Sequence, residues 1–387
     1  MPSLPQPYAR PKYQAHPRSA AFRRPQRIVL ESNSDTIESL LQKEVLTGYP
    51  KKHKRGFALN IPLSLACWDY DRTRGLLEGR IPIDGVDLTY LNLPVEETFF
   101  RMMRFQEFDA SEMSLSSYVI SLFSKNPPFV AIPIFPSRSF RHSCIFINTD
   151  SGIREPKDLI ERRVGSPEYQ LTAVVWIRGI LADEYKVPVP SVRYFTGGQE
   201  NPGRIEKSRI SLPPEIRIEA IPAEKTLAQM LAAGEIDAIY TPRIPSTFFH
   251  RPGTVRRLFE DFDEVEQAYF RKTRIFPIMH TVVIRRDVYE KHPWVAQSLY
   301  KAFAQAQRET YENLYEAGAL KHMLPWLLKH VEDTRAIMGE DFWPYGLEPN
   351  LHTLDTFLRY SYEQGLSKRR LQPKDLFVPE TFESFKI

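Results

Sequence analysis

An α/β fold built from two similar halves is the class this sequence predicts, on three observations. From Leu59 onward, short runs rich in β-formers alternate with amphipathic stretches, the pattern of a mainly parallel sheet with helical crossovers. A chain of 387 residues with 42% hydrophobic content can bury the cores of two domains. Polar clusters rich in Arg, His and Ser follow directly after several apolar runs, where open α/β sheets bind ligands.

From Met1 to about Arg27 the chain carries Pro2, Pro5, Pro7, Pro11, Pro17 and Pro25, six basic residues, and no acid before Glu31, which reads as a disordered leader. Its Arg content and lack of acid match a mitochondrial transit peptide, but the prolines would break the amphipathic helix such peptides form. The expected location is cytoplasmic, with mitochondrial import as the alternative. Lys51 to Arg55 is a basic cluster read as a solvated linker rather than a nuclear address. No apolar run approaches the ~20 residues that cross a bilayer, and no secretory signal is evident.

Leu63 to Cys67 is the first expected strand, followed by the loop Asp69 to Thr73 and an amphipathic stretch ending near Gly79. Val86 to Tyr90 is the second strand. Between Pro94 and Gln106, Val95, Phe99, Met102 and Met103 fall on one helical face. Phe108 to Met113 then reads as a short strand feeding a helix near Ser114, and Phe129 to Phe135 as a buried strand. The second half repeats the pattern. Arg163 to Gly165 is a strand, a long helix runs through Trp176 and Leu181, and a helix over Leu227, Met230 and Leu231 stops at Gly234 before the strand Ile236 to Tyr240. The polar segment from Gly197 to Pro214 reads as a surface excursion. Pro277 to Ile284 is a strand returning the chain to the first half, and Val295, Leu299, Ala302, Phe303 and Ala306 recur at helical spacing after it.

Composition narrows the function. The 52 basic and 48 acidic residues give a net charge of +4 with no long basic stripe, so nucleic acid is not an expected partner and neither is a membrane. Cys67 and Cys144 belong to no metal-binding pattern, and GxSxG, Walker A, HExxH and GxGxxG motifs are missing, so no metal and no cofactor are expected. Arg138 to His142 crowds two guanidiniums and an imidazole at the end of a strand, which suits an acidic small molecule. The strand-end rule adds Asp69 to Arg72, Ser114 to Ser117, Glu168 to Gln170, Thr241 to Arg243, and His280, with helix N-termini at Arg72, Ser116 and Tyr169. Each has a plainer reading: Asp69 and the serines as helix caps, Arg72 and Arg243 in structural ion pairs, His280 as a core histidine, and Glu168 as a surface acid on a turn.

Several separated segments resemble the 4,5-dihydroxyphthalate decarboxylase family: Ala66 to Arg74, Pro94 to Arg101, Glu112 to Tyr118, Phe135 to His142, Val164 to Gln170, Pro277 to His280, and Trp343 to Glu348. The resemblance spans roughly Leu63 to Lys386. It implies a two-lobed type II periplasmic-binding-protein-like fold with a ligand cleft between the lobes. On that basis residues 1–58 are the leader, 59–150 the first part of lobe 1, 151–275 lobe 2, and 276–387 the return to lobe 1 with C-terminal helices. The implied reaction removes one carboxylate from 4,5-dihydroxyphthalate, giving 3,4-dihydroxybenzoate and CO2.

With that chemistry the expected roles are these. Arg138 and Arg141 hold the substrate carboxylates, and Arg72 or Arg243 closes from the other side. His142, then His280, supplies the ring proton, and Glu168 or Asp69 takes the phenolic one. Ser116, Tyr169 and Gln170 complete the substrate contacts. The alternatives are a noncatalytic solute-binding protein for aromatic acids and a related decarboxylase with another aromatic substrate. A homo-oligomer is the base-rate expectation for an enzyme of this size.

Overall fold

The computed structural model describes residues 60–207 and 210–382. The readings of the leader, of mitochondrial import and of the basic cluster at Lys51 to Arg55 lie outside the described residues. Eleven strands form two sheets among the described residues. The first contains β1 (Ile61–Ala66), β2 (Val86–Leu91), β3 (Ala110–Ser114), β4 (Phe129–Ile132) and the late strand β11 (His280–Arg285), in the order β2-β1-β3-β11-β4. β1 runs parallel to both β2 and β3, whereas β11 enters antiparallel between β3 and β4. Every residue of β3 and β4 is buried: β3 is a central strand, and β4, at the sheet edge, is covered by the C-terminal segment through the parallel bridge of Ala131 to Phe377.

The second sheet holds β5 (Ile145–Asn148), β6 (Arg163–Ser166), β7 (Arg193–Thr196), β8 (Ile218–Ala220), β9 (Ala238–Tyr240) and β10 (Val255–Arg257), in the order β10-β5-β9-β6-β7-β8. Here β5 is the antiparallel insert. The two-lobed α/β fold is therefore present, but the first boundary shifts. Because β5 pairs with β9 and β10, the second lobe begins before Ile145 rather than after residue 150.

Helices pack where the apolar periodicity placed them. Helix α1 (Val95–Phe105) buries Phe99 and Met102, carries Glu96 and Glu97 in its first turn, where the helix dipole favours acids, and ends at Gln106 in the left-handed region. Helix α2 (Leu115–Ser121) is capped by the Ser114 hydroxyl, which accepts the Ser117 N–H at 3.4 Å. Helix α3 (Thr172–Tyr185) is buried along most of its length. Helix α4 (Val295–Asn313) lies on the first lobe, where Glu309 pairs with Arg80.

The last helix, α5 (Leu351–Glu363), packs on α3 of the second lobe and not on the first. Trp176 meets Phe357 and Tyr360 with ring centroids 5.5 and 5.6 Å apart, and the Gln364 side-chain carbonyl accepts from Arg178 Nε at 2.7 Å. A Cβ on Gly179 would enter the Tyr360 ring, so only glycine permits this approach. Beyond α5 the chain returns to β4, where the Val378 N–H donates to the Ala131 carbonyl at 3.1 Å. The C-terminal segment therefore contacts both lobes, with α5 on the second and the stretch after it on the first.

Two crossing segments join the lobes side by side. Ser139 N–H donates to the Pro277 carbonyl at 3.1 Å, and Met279 N–H to the Ser137 carbonyl at 2.8 Å. Arg138 and Ile278 form an antiparallel bridge. The basic pentapeptide Arg138 to His142 thus belongs to a hinge as well as to a strand end.

Candidate active site

A cavity of about 580 Å³ lies where both lobes and both crossing segments meet. It is lined by the loop after β1, the first turns of α1 and α3, the end of β3, the loop after β9, the start of β11 and the hinge. That is the carboxyl-end position where open sheets bind ligands.

The centre of the site is a carboxylate and an imidazole. Glu112 is fully buried on β3, and His280 opens β11 beside it, with Nδ1 2.6 Å from Glu112 Oε1. Tyr70 O–H donates to the same oxygen at 2.6 Å. The other oxygen accepts Trp68 N–H at 3.2 Å and the Cys67 thiol at 3.7 Å. Burial alone would push the Glu112 carboxyl up, but His280, Tyr70 and Trp68 N–H together hold it below the usual carboxylate range. Burial and the neighbouring Glu112 push the Cys67 thiol well up, so it stays protonated. His280 packs against the edge of Phe99 and lines the cavity, and its Nε2 has no protein partner among the described residues.

Three cations face the same space. Arg141 is 8% exposed, and its contacts are two sulfurs, Met279 Sδ at 3.1 Å and Cys144 Sγ at 3.5 Å, with no carboxylate within salt-bridge distance among the described residues. Lys207 pairs with Glu168 at 2.6 Å, and Arg204 shares that carboxylate at 2.7 Å. Arg243 forms a forked ion pair with Glu96 on the other lobe at 2.7 and 3.0 Å. Burial raises Glu96, but the Arg243 pair outweighs it and holds the carboxyl low. Ser114 and Thr172 add hydroxyls 2.9 Å apart at the start of α3.

Of the residues expected from sequence, Arg141, Arg243 and His280 are brought together here. Tyr70 and Ser114, from two of the expected strand-end segments, also line it, whereas the other residues given a role do not. His142 lies among Tyr185, Phe259 and Tyr269 with both ring nitrogens unpartnered, and burial pulls it down to about 4. Arg138 points to the C-terminal segment, donating to Phe276 and Pro344 carbonyls at 3.1 and 2.7 Å and to the Asn350 side chain. Arg72 is sandwiched between Tyr70 and Trp343, 4.2 Å from each ring centre, and donates to the Pro136 carbonyl at 2.6 Å. Asp69 is held outside by Arg74 at 2.9 Å.

Glu168 is a buried counter-ion to Lys207 and Arg204 and does not line the cavity. Tyr169 O–H reaches the Gln364 carbonyl at 3.1 Å, Gln170 donates to Glu206 at 2.9 Å, and Ser116 is fully buried with its N–H on Thr172 Oγ1 at 3.0 Å. These three support the wall from behind.

Sequence reasoning missed Glu112, Thr172 and Lys207, and reached Tyr70 only as part of the loop Asp69 to Arg72. A signal existed for Glu112, since one acid inside an otherwise buried strand needs partners to stay ionised. Lys207 carried none. It lies in the segment read as a surface excursion, and its side chain reaches the cavity wall while residues 200–203 are exposed. Among the described residues no group of three or more His, Cys, Asp or Glu is placed to hold a metal ion.

No protein-family model matches the chain. The 4,5-dihydroxyphthalate decarboxylase of Comamonas testosteroni is 42% identical over 327 residues, which cover 84% of this chain and 99% of that protein. The 4,5-dihydroxyphthalate decarboxylase of Pseudomonas putida is 41% identical over 209 residues, covering 54% of this chain and 81% of that protein. Among solved structures, the periplasmic aliphatic sulphonate binding protein of Escherichia coli aligns at 13% identity with a TM-score of 0.46, over 83% of this chain and 99% of that one. At 42% identity over nearly the whole Comamonas protein, the chain belongs to the 4,5-dihydroxyphthalate decarboxylase family.

Proposed function

We propose that this protein is a carboxy-lyase that converts 4,5-dihydroxyphthalate to 3,4-dihydroxybenzoate and CO2. The observation that carries the reading is His280, held on the buried Glu112 carboxylate and facing a cavity that also presents Arg141, Lys207 and Arg243. A proton donor opposite several cations suits a dianionic aromatic acid.

Each carboxylate of that substrate is para to a hydroxyl. Protonated His280 gives its Nε2 proton to the ring carbon bearing the departing carboxylate, while the para hydroxyl feeds electron density into the ring and yields a dienone. Its proton passes to solvent in the cavity, because Glu96, the acid on the wall, is held low by its pair with Arg243. The bond to CO2 then breaks, its electron pair restores the aromatic ring, and the phenol regains its proton. One proton is consumed per turnover and His280 recovers it from solvent.

Arg141 is the cation for the carboxylate that stays, because among the described residues no carboxylate lies within salt-bridge distance of it and a firm grip on the departing group would stabilise the ground state. No helix among the described residues is long and apolar enough to cross a membrane. A cytoplasmic site of action is supported by the free, buried Cys67 and Cys144 thiols.

The test incubates purified protein with 4,5-dihydroxyphthalate and follows CO2 and the aromatic product by chromatography. Wild-type turnover is expected, with His280→Gln lowering kcat by about 10² to 10⁴ while substrate still binds. Thermal stabilisation by the substrate without conversion would make the protein a binder or assign it another substrate.

A further inference from the structure

We propose that Tyr70 is a positioning residue that makes His280 a stronger acid through the carboxylate oxygen they share. The inference rests on His280 being the proton donor, and it concerns what sets the strength of that donor.

Tyr70 O–H and His280 Nδ1 each lie 2.6 Å from Glu112 Oε1. A carboxylate oxygen that accepts a short bond from a phenol has less negative charge to offer an imidazolium. The imidazolium is then less stabilised and releases its proton more readily. Glu112 cannot escape by rotating, because Trp68 N–H and the Cys67 thiol occupy its other oxygen. Aromatic carbon is a reluctant base, so a donor too firmly held by its counter-ion would protonate it slowly.

Tyr70 is itself held in place. Its N–H donates to Thr73 Oγ1 at 3.1 Å, and the Arg72 guanidinium lies 4.2 Å over its ring. Arg72 is fixed in turn by the Trp343 ring on its far side and by the Pro136 carbonyl. This gives Arg72 and Trp343 a task at the site without lining the cavity.

The other groups facing the pair are accounted for. On the sheet side these are Cys67, Tyr90, whose O–H goes to the Trp68 carbonyl at 3.2 Å, and Tyr345. Across the cavity they are Arg141, Lys207, Arg243 and Glu96. Of these, the Cys67 thiol alone shares Glu112 with Tyr70, and it uses the opposite oxygen at a longer distance.

The sign follows directly. His280 must be protonated to act, so activity falls at high pH, where the imidazolium is lost. Tyr70→Phe keeps the ring and removes the O–H, returning charge to Oε1 and tightening its hold on the imidazolium. The basic limb of the kcat profile is expected to move up by about one pH unit, with kcat down about ten-fold and KM within two-fold of wild type.

An imidazole NMR titration of His280 in ligand-free protein reads the same shift without turnover. An unmoved titration and an unmoved basic limb overturn the proposal. A shifted titration in a protein whose His280→Gln variant still turns over at the wild-type rate instead leaves the coupling standing and removes His280 as the acid. Should Tyr70→Phe fail to fold, Arg72→Gln loosens the phenol in place, and a smaller upward shift in both readouts is expected; its absence overturns the proposal equally.

Discussion

At the scale of single residues, chemical type was a poorer guide than environment. His142 follows a run of β-formers and His280 opens one, and both were plausible proton donors. Only His280 has a carboxylate to hold it and an open ring nitrogen, whereas His142 is walled in by three aromatic rings. His142 still has a consequence for stability. Its pKa falls from 6.5 to about 4 on folding, so between those values the unfolded chain binds a proton that the native state refuses. Stability should therefore fall as pH drops from about 6.5 towards 4, by at most about 3 kcal/mol from this residue. His142→Phe, which suits the aromatic surroundings, should flatten that part of the curve in denaturant titrations at pH 5 and pH 7. An unchanged pH dependence would mean that the imidazole is not held neutral.

At the scale of elements, the segment Arg138 to His142 is the instructive case. As an isolated sequence it looks like one anion pocket, but the hinge sends its side chains in different directions. Arg141 reaches the cavity, Arg138 ties the crossing segment to the C-terminal region, and His142 packs into the second lobe. Arg138→Ala would take away the guanidinium bonds to the Phe276 carbonyl and the Asn350 side-chain oxygen and leave the Pro344 carbonyl with the Asn350 amide as its remaining donor. A loss of about 3 kcal/mol is expected in urea unfolding, with substrate affinity of the folded protein unchanged. The reverse result, intact stability with lost binding, would put Arg138 back among the substrate contacts. The helices were easier to read because their signal is local: α1 and α4 show their buried faces in the spacing of Phe99, Met102, Leu299 and Phe303.

At the scale of the whole molecule, the lobes meet around one cavity and are linked at its mouth by Glu96 and Arg243. Arg243 is 65% exposed, so the pair contributes little to stability, about 1 kcal/mol or less. Its value lies in charge facing the cavity. Arg243→Gln should raise KM for the dianionic substrate about ten-fold and weaken the dependence of KM on salt, at nearly unchanged thermal stability. An unaltered KM would confine the pair to joining the lobes. The α/β class, the two halves, most strand and helix positions, and the placing of Arg141, Arg243 and His280 at strand ends were legible in the sequence because periodicity and turn chemistry act over a few residues, and the family resemblance was legible in its separated motifs. Which neighbours those residues meet follows from the folded structure alone. Glu112 and His280 are 168 residues apart and touch because β11 inserts antiparallel beside β3. Lys207 reaches the cavity from a segment with no periodicity at all, and α5 crosses to the second lobe because Gly179 leaves room for Tyr360. Such contacts are set by long-range pairing and packing, which no local pattern encodes.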